Sequence, residues 1–482
     1  MTIGGAGRVR DLAFLGYLAA LFGLGFRRPF LLVLAYVYID IVAPQRLTYY
    51  LLNAVPISLI AVLLAVGGWL LADDKSDARV APRQGLILLL LGYCGLTTLT
   101  ADFPVEALDK WDWVWKALAF AAFLPLTLRT RLRIEALLTF MVLGASAIII
   151  VGGIKTLASG GGYGELNLMV DNNAGLYEGS TISTVAVAIL PIIGWLARYG
   201  TIFPRDWKRT LFCLALAFAC LLMPIGTSTR TGLLCIGLVA FLHFRNVKRK
   251  VAYLAMLGAI GLSAVPMLPK TFTERMSTIK TYQADESAAT RLAVWAWTWN
   301  FAKDHPFGGG FEAYRQNHIA YDLKAKTPGA TAAPAPATDK LTVDKGRAYH
   351  SAYFEMLGEQ GYPGLGLWLL INLVGVARME VLRRRYRTGD EQWAGALAGA
   401  LQTAQLVYLL GAAFIAIAFQ PFIYMLVGAQ IGLDSYLARK RKAVTGSGFR
   451  SQSVRAELVE APSFLATKNG PSTSSGRTEG WV

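Results

Sequence analysis

Residues 129–154 read RTRLR and then IEALLTFMVLGASAIIIVGGI. Arg129-Thr130-Arg131-Leu132-Arg133 is a compact basic cluster, and residues 134–154 are one sustained apolar run. A helix of about 20 residues crosses the hydrocarbon core of a bilayer. Lipid offers no water to backbone polar groups, so such a run is read as a helix. The same pattern recurs along the chain, near 11–26, 29–43, 55–72, 85–100, 113–128, 180–199, 210–226, 231–244, 251–268, 358–377, 394–414 and 419–437. Together these runs predict an all-α, polytopic integral membrane protein of about 12–13 transmembrane helices with one large external loop. The first two runs are short, and read either as a hairpin or as one partial span.

Composition agrees. Of 482 residues, 54% are hydrophobic and only 16% are charged, where a soluble domain carries about 25%. Mean hydropathy is +0.43. The net charge of +16 lies in short clusters between apolar runs, which argues against nucleic acid as a partner and for the positive-inside rule. The clusters are Arg129 to Arg133, Arg205 to Arg209, Arg245 to Lys250, Arg378 to Arg387 and Arg439 to Lys442. Placing all five in the cytoplasm is consistent with every span from residue 134 onward, puts the C-terminus inside, and leaves 155–179, 227–230 and 269–357 outside. The N-terminal side stays open: Arg8 and Arg10 favour inside, whereas thirteen full spans place it outside.

The chain divides into N-terminal transmembrane helices over 1–268, the large loop over 269–357, C-terminal helices over 358–437 and a polar tail over 438–482 read as disordered and cytoplasmic. Within the loop, Thr327 to Thr338 (TPGATAAPAPAT) is a Pro/Ala linker between two ordered pieces. Cys94, Cys213, Cys220 and Cys235 all fall in apolar segments and read as small core residues. The first apolar run lacks a small-residue cleavage site, so no cleavable signal is expected.

Four external stretches carry polar chemistry. Gly160-Gly161-Gly162-Tyr163 and Asp171-Asn172-Asn173-Ala174 read as a turn and a helix cap, or as a polar rim in which Asn172 and Asn173 touch a sugar. Arg230, in Thr227-Ser228-Thr229-Arg230-Thr231-Gly232, is either an interfacial anchor or the partner of an anion, for which a helix N-terminus and nearby hydroxyls suit a phosphate. Arg291, Trp295 and Trp299 are spaced four apart and share a helical face, which suits a diphosphate and a sugar ring or an interfacial helix held by tryptophans. His350 opens Tyr349-His350-Ser351-Ala352-Tyr353-Phe354-Glu355-Met356-Leu357-Gly358-Glu359, beside a span and facing the same compartment as both arginines. A neutral imidazole there is suited to accept a proton from a hydroxyl. His305 and His318 read as structural. No HxxH, HExxH, CxxC or DxD pattern and no phosphate-binding glycine loop is present, so neither a metal nor a cofactor is expected. The energy for any reaction then resides in a membrane-borne substrate.

These motifs, namely RRPF (27–30), GGGY (160–163), DNNA (171–174), STRTG (228–232), ERMSTI (274–279), Arg291 to Trp295 with HPFGGGF (305–311), and YHSAYFEMLGEQG (349–361), resemble in order and placement the O-antigen ligase and polymerase superfamily of bacterial envelope enzymes. The likeness spans roughly residues 10 to 437 and is nearest to the O-glycosylation ligases associated with exosortase systems. The resemblance implies a glycosyltransferase of the bacterial inner membrane, with its active site facing the periplasm. Its donor would be a glycan on undecaprenyl diphosphate, and its acceptor a hydroxyl on protein or lipid. It implies that Arg230 and Arg291 hold the diphosphate and that His350 activates the acceptor, with membrane lipids as the surroundings. The sequence departs from the family after DNNA, where Gly175-Leu176-Tyr177-Glu178-Gly179 replaces a more apolar helix start.

The implied chemistry needs no metal. A lipid diphosphate leaves as a stabilised anion that two arginines can neutralise. Attack from the opposite side inverts the anomeric centre. Glu355 and Glu359 are read as orienting the imidazole, or as simply exposed to solvent near the membrane. Two rival readings stand beside this one: a polymerase of the same fold whose acceptor is another lipid-linked glycan, and a glycolipid flippase or transporter. The flippase would need ionisable residues buried mid-helix along a path.

Overall fold

The structure is a computed structural model, and it describes residues 5–48, 52, 55–76, 78–159, 175–244, 249–252, 255, 258–259, 286–321 and 342–446. Its helices are α1 (Gly5–Arg27), α2 (Phe30–Val42), a single turn α3 (Pro44–Leu47), α4 (Ile57–Ala72), α5 (Pro82–Leu99), α6 (Pro104–Thr127), α7 (Arg131–Ser159), α8 (Gly179–Tyr199), α9 (Trp207–Gly226), α10 (Arg230–Phe244), α11 (Glu286–Asp304), α12 (Ala352–Arg385), α13 (Gln392–Ala412) and α14 (Pro421–Gly446). The expected all-α membrane fold is present. Among the described residues, six helices (α1, α7, α8, α9, α12 and α13) are long and apolar enough to cross a bilayer, and three more, α2, α4 and α10, are apolar but shorter. Most of the expected span at 251–268 lies outside the described residues. Residues 1–436 form one compact unit and 437–482 another, the latter described only through residue 446.

α8 is the central element, packed by α7, α9, α10 and α13. Its positions Thr181 to Ile189 are buried without a break, as expected of a helix enclosed on all sides. Close approach depends on small residues, because lipid gives no hydrophobic drive between helices. A methyl group at Gly153 would lie 3.1 Å from Cβ of Ala219, which brings α7 against α9, and Gly411 meets Thr184 where α13 crosses α8. Polar side chains add a second kind of glue. Arg83 donates to the Ile371 carbonyl at 3.0 Å and to Gln430 Oε1 at 2.7 Å, and Gln430 Nε2 donates to Gln405 Oε1 at 2.8 Å.

The helices α7, α8 and α9 alternate in direction, which fixes two ends. The start of α7, the end of α8 and the start of α9 meet around Glu135, Gly200 and Arg209, so Arg129 to Arg133 and Arg205 to Arg209 share one end. At the other end Ser183 Oγ and Thr227 Oγ1 are 2.6 Å apart. With 29 residues in α7, the two ends are separated by about 44 Å at 1.5 Å rise per residue.

Two features of the large loop region were not expected. The span read as 358–377 is part of a helix that starts at Ala352, and the loop contains a two-stranded antiparallel ribbon of β1 (His318–Tyr321) and β2 (Thr342–Lys345). The ribbon pairs the two sides of the linker, whose own residues Thr327 to Thr338 lie outside the described residues.

α12 is broken at Gly361 (φ 63°, ψ −166°), two residues before Pro363. Proline has no N–H for the carbonyl four residues earlier, which here is Glu359. The freed carbonyls are taken by the loop after α11: Gly309 N–H donates to Gly358 at 3.0 Å, Gly310 N–H to Glu359 at 3.0 Å, and Tyr362 N–H returns a bond to Pro306 at 2.9 Å. Gly308 and Gly310 both take positive φ (84° and 77°) to make this approach. The HPFGGGF motif is therefore the wedge that holds the kink, with Asp102 N–H donating to the Gly309 carbonyl at 2.9 Å from the other side.

Candidate functional site

The wedge positions α11, and α11 positions Arg291. Val294, Ile319 and Tyr349 form a small buried core under the loop, with Ala293, Trp297, Tyr314 and Phe354 packed around it. Trp295 contributes twice: its indole N–H donates to the Tyr349 carbonyl at 2.8 Å, and its ring stacks on Phe354 at 5.0 Å between centroids, 8° from parallel. Arg291, one turn earlier on the same helix, is thereby brought to the segment that carries His350. Trp299 does not join this contact and is 53% exposed.

His350 is exposed and takes φ 48°, a left-handed conformation that β-carbon-bearing residues rarely adopt. The turn sends the chain from the buried Tyr349 into α12, whose first bond runs from Glu355 N–H to the Ser351 carbonyl at 2.8 Å. Protein packed on one side of the ring holds the imidazole below its ordinary pKa, the Arg291 cation adds to this, Glu178 opposes it, and Arg347 adds a little more. The ring is thus held neutral, the form a base requires.

Glu178 was not singled out from sequence. It falls in the stretch where the sequence departs from the family pattern. It is the N-cap of α8, accepting from Ser180 N–H at 3.0 Å, Thr181 N–H at 2.5 Å and Thr181 Oγ1 at 2.7 Å. The signal that locates it is the acidic residue followed by Gly-Ser-Thr ahead of an apolar run.

Arg230 is the first residue of α10. The turn before it is fixed to α8: Thr227 Oγ1 contacts Ser183 and Thr229 hydroxyls at 2.6 and 3.1 Å, and Ser228 takes φ 52°. Ser183 lies little more than one turn beyond Glu178, so Arg230 starts its helix at the end of the bundle where Glu178 caps α8. The structure thus joins Arg291, Trp295 and His350 directly, couples Glu178 to His350 through its charge, and puts Arg230 at the Glu178 end of α8. Asn172 and Asn173 lie outside the described residues.

Glu355 requires a correction. It is 4% exposed and Glu359 is 0% exposed, so neither faces solvent. Nor is Glu355 directed at the imidazole: Lys110 Nζ lies 2.7 Å from Glu355 Oε1 and 2.8 Å from Glu359 Oε1, and Ala418 N–H donates to Glu355 Oε2 at 2.9 Å. Glu312 N–H adds a bond to Glu359 Oε1 at 3.1 Å, and Phe311 and Phe419 face the ammonium at 5.6 and 5.7 Å. One ammonium between two carboxylates leaves a negative charge over, which these backbone donors share. Lys110 was missed because the span was read from residue 113, whereas α6 starts at Pro104, where proline suits the first helical turn.

Comparison with known families fits this geometry. Residues 9–201 match a family of unknown function (DUF5935). No curated protein matches the chain. Residues 214–369, which hold Arg230, Arg291, Trp295 and His350, match the O-antigen ligase family, and this supports a multi-pass membrane protein of the O-antigen ligase superfamily with a glycan ligase or polymerase type of function.

Proposed function

We propose that the protein is a membrane glycosyltransferase that moves a preassembled glycan from undecaprenyl diphosphate to a hydroxyl of a protein or lipid acceptor at the periplasmic face. The observation that carries the reading is the Trp295–Tyr349 hydrogen bond of 2.8 Å, which brings Arg291 to the segment bearing a neutral His350. In the proposed step the acceptor O–H gives its proton to the imidazole as its oxygen attacks the anomeric carbon. The bond from that carbon to the diphosphate oxygen breaks, and the electron pair leaves with the lipid diphosphate. Arg291 and Arg230 neutralise the charge that grows on the phosphate oxygens. Attack opposite the leaving group inverts the anomeric centre, and the diphosphate needs no metal or other cofactor to depart. Trp295 offers an indole edge to the glycan, and Asn172 and Asn173 remain candidates for the sugar rim. An association with an exosortase system belongs to the same proposal.

A polymerase differs only in its acceptor, a second lipid-linked glycan. The flippase reading draws on the buried Arg83, which is 7% exposed among the transmembrane helices. Its guanidinium is engaged by Ile371 and Gln430, so it serves as glue between helices, and the transferase reading is preferred. Proteoliposomes with purified protein and undecaprenyl-diphosphate glycans test the proposal. Transfer by wild type that is lost in His350→Ala and Arg291→Ala is the expected result, and the labelled product identifies ligase or polymerase. Glycolipid crossing the bilayer without bond formation would replace the reading by the flippase.

A further inference from the structure

At the basic end of the bundle, α7, α8 and α9 part to form a cleft of about 470 Å³, mouth included. This lies within the range of about 300–1,000 Å³ usual for small-molecule sites. The same helices are tightly joined toward the other end, where Gly153 meets Ala219 and Gly226 meets Thr156. The cleft is lined by Val142 and Leu143 from α7, Leu196 from α8, and Phe212 and Leu216 from α9. Leu143 and Phe212, 38% and 44% exposed, form its outward edge.

Its polar groups lie at one extremity. Glu135 is spent on the loop after α8, accepting from Thr201 Oγ1 at 2.8 Å and Ile202 N–H at 2.8 Å, and from Thr201 N–H. Arg209 donates to the carbonyls of Ala197, Gly200 and Phe203 at 2.9, 3.2 and 3.3 Å, yet its Nε–H has no hydrogen-bond partner among the described residues. Thr139, one turn deeper than Glu135 and 6% exposed, likewise has an unpartnered hydroxyl in the lining. Beside the mouth stand the exposed cations Arg205 and Lys208.

We propose that this cleft binds an anionic phospholipid, one acyl chain between α7 and α9 and the phosphate among Arg205, Lys208 and Arg209. An apolar slot open at its edge suits a chain. A buried hydroxyl one turn inward is placed to donate to a glycerol ester carbonyl. Basic groups at the mouth suit a phosphate, as basic pockets between transmembrane helices do generally. The site is at the opposite end of α7–α9 from Glu178 and Arg230, so it is distinct from the proposed donor site and independent of that reading.

Native mass spectrometry of the delipidated full chain, titrated with phosphatidylglycerol or phosphatidylcholine, tests the proposal. Wild type is expected to bind phosphatidylglycerol about tenfold more tightly than phosphatidylcholine. Cys213→Trp and Leu143→Trp fill the cleft from opposite walls and are expected to abolish this binding, each checked for an unchanged melting temperature. Arg205→Gln combined with Lys208→Gln changes only exposed side chains and is expected to bring phosphatidylglycerol down to the phosphatidylcholine level. Equal binding of the two lipids by wild type, or binding of phosphatidylglycerol that survives the filled cleft or the doubly neutral mouth, would overturn the proposal.

Discussion

The indole N–H of Trp295 is bonded to the carbonyl of Tyr349, 54 residues further along the chain and next to His350. This contact joins the helix that carries the candidate diphosphate arginine to the turn that carries the candidate base. Trp295→Phe keeps the stacking on Phe354 and removes only the donor. It is expected to cost about 1 kcal/mol and to raise amide hydrogen exchange over residues 346–352, with a matching fall in transfer rate. Exchange at wild-type rates would show that the bond does not hold the segment.

The pH profile of transfer follows from the environment of His350. The base form of a histidine whose pKa is held below its ordinary value of about 6.5 persists into mildly acid solution. Transfer should therefore lose rate on the acid side only as pH falls through that lowered pKa. Arg291→Gln removes a cation and moves the acid limb to higher pH, whereas Glu178→Gln removes an anion and moves it lower. Measured pH–rate profiles of the two variants shifted in the same direction would contradict this account.

Lys110→Met strands two buried carboxylates. Removing one partner from a buried ion cluster costs about 3–5 kcal/mol, and the variant should lose thermal stability in detergent accordingly. Adding Glu355→Gln and Glu359→Gln to Lys110→Met should recover much of that loss, because no buried charge is then left unpaired. A single Lys110→Met variant that melts with wild type would mean that water reaches the cluster.

Gly361→Ala tests the kink. Its backbone occupies a region open essentially to glycine, at a cost of about 1–3 kcal/mol for other residues. The added carbon would also meet the Pro306 carbonyl and the backbone of Phe307 and Gly308. The variant should melt earlier, and it should shift the HPFGGGF wedge enough to lower transfer, whereas Gly366→Ala, with open space around it on the same helix, should change neither.

The membrane architecture was legible because lipid imposes one simple rule, a long apolar helix between polar flanks, and runs such as 134–154 obey it. Arg291 and Trp295 were legible as a pair because helical spacing places them on adjacent turns. What joins them to His350 was not, since it depends on a backbone carbonyl, which leaves no mark in the sequence. Glu355 illustrates the opposite failure. An acidic residue at the start of a predicted span reads as solvent-facing, and only the arrival of Lys110 from a helix 245 positions away makes its burial tolerable. Glu178 stayed hidden because a helix cap and a charge acting on a distant imidazole look the same in one dimension.

The ribbon between His318–Tyr321 and Thr342–Lys345 has a consequence for how the loop can vary. Asn317, fully buried, donates through Nδ2 to the Arg347 carbonyl at 2.7 Å and accepts from Arg347 N–H at 2.9 Å, while Gly346 N–H donates to the Asn317 carbonyl at 3.0 Å. The approach to His350 is therefore anchored before and after the Pro/Ala linker, and covalent continuity through that linker is not what positions the base. Halves of the protein divided between Tyr321 and Thr342 can reassemble around the strand register, and related chains are free to change the linker's length, or to insert a whole acceptor-binding module there, without redesigning the chemistry.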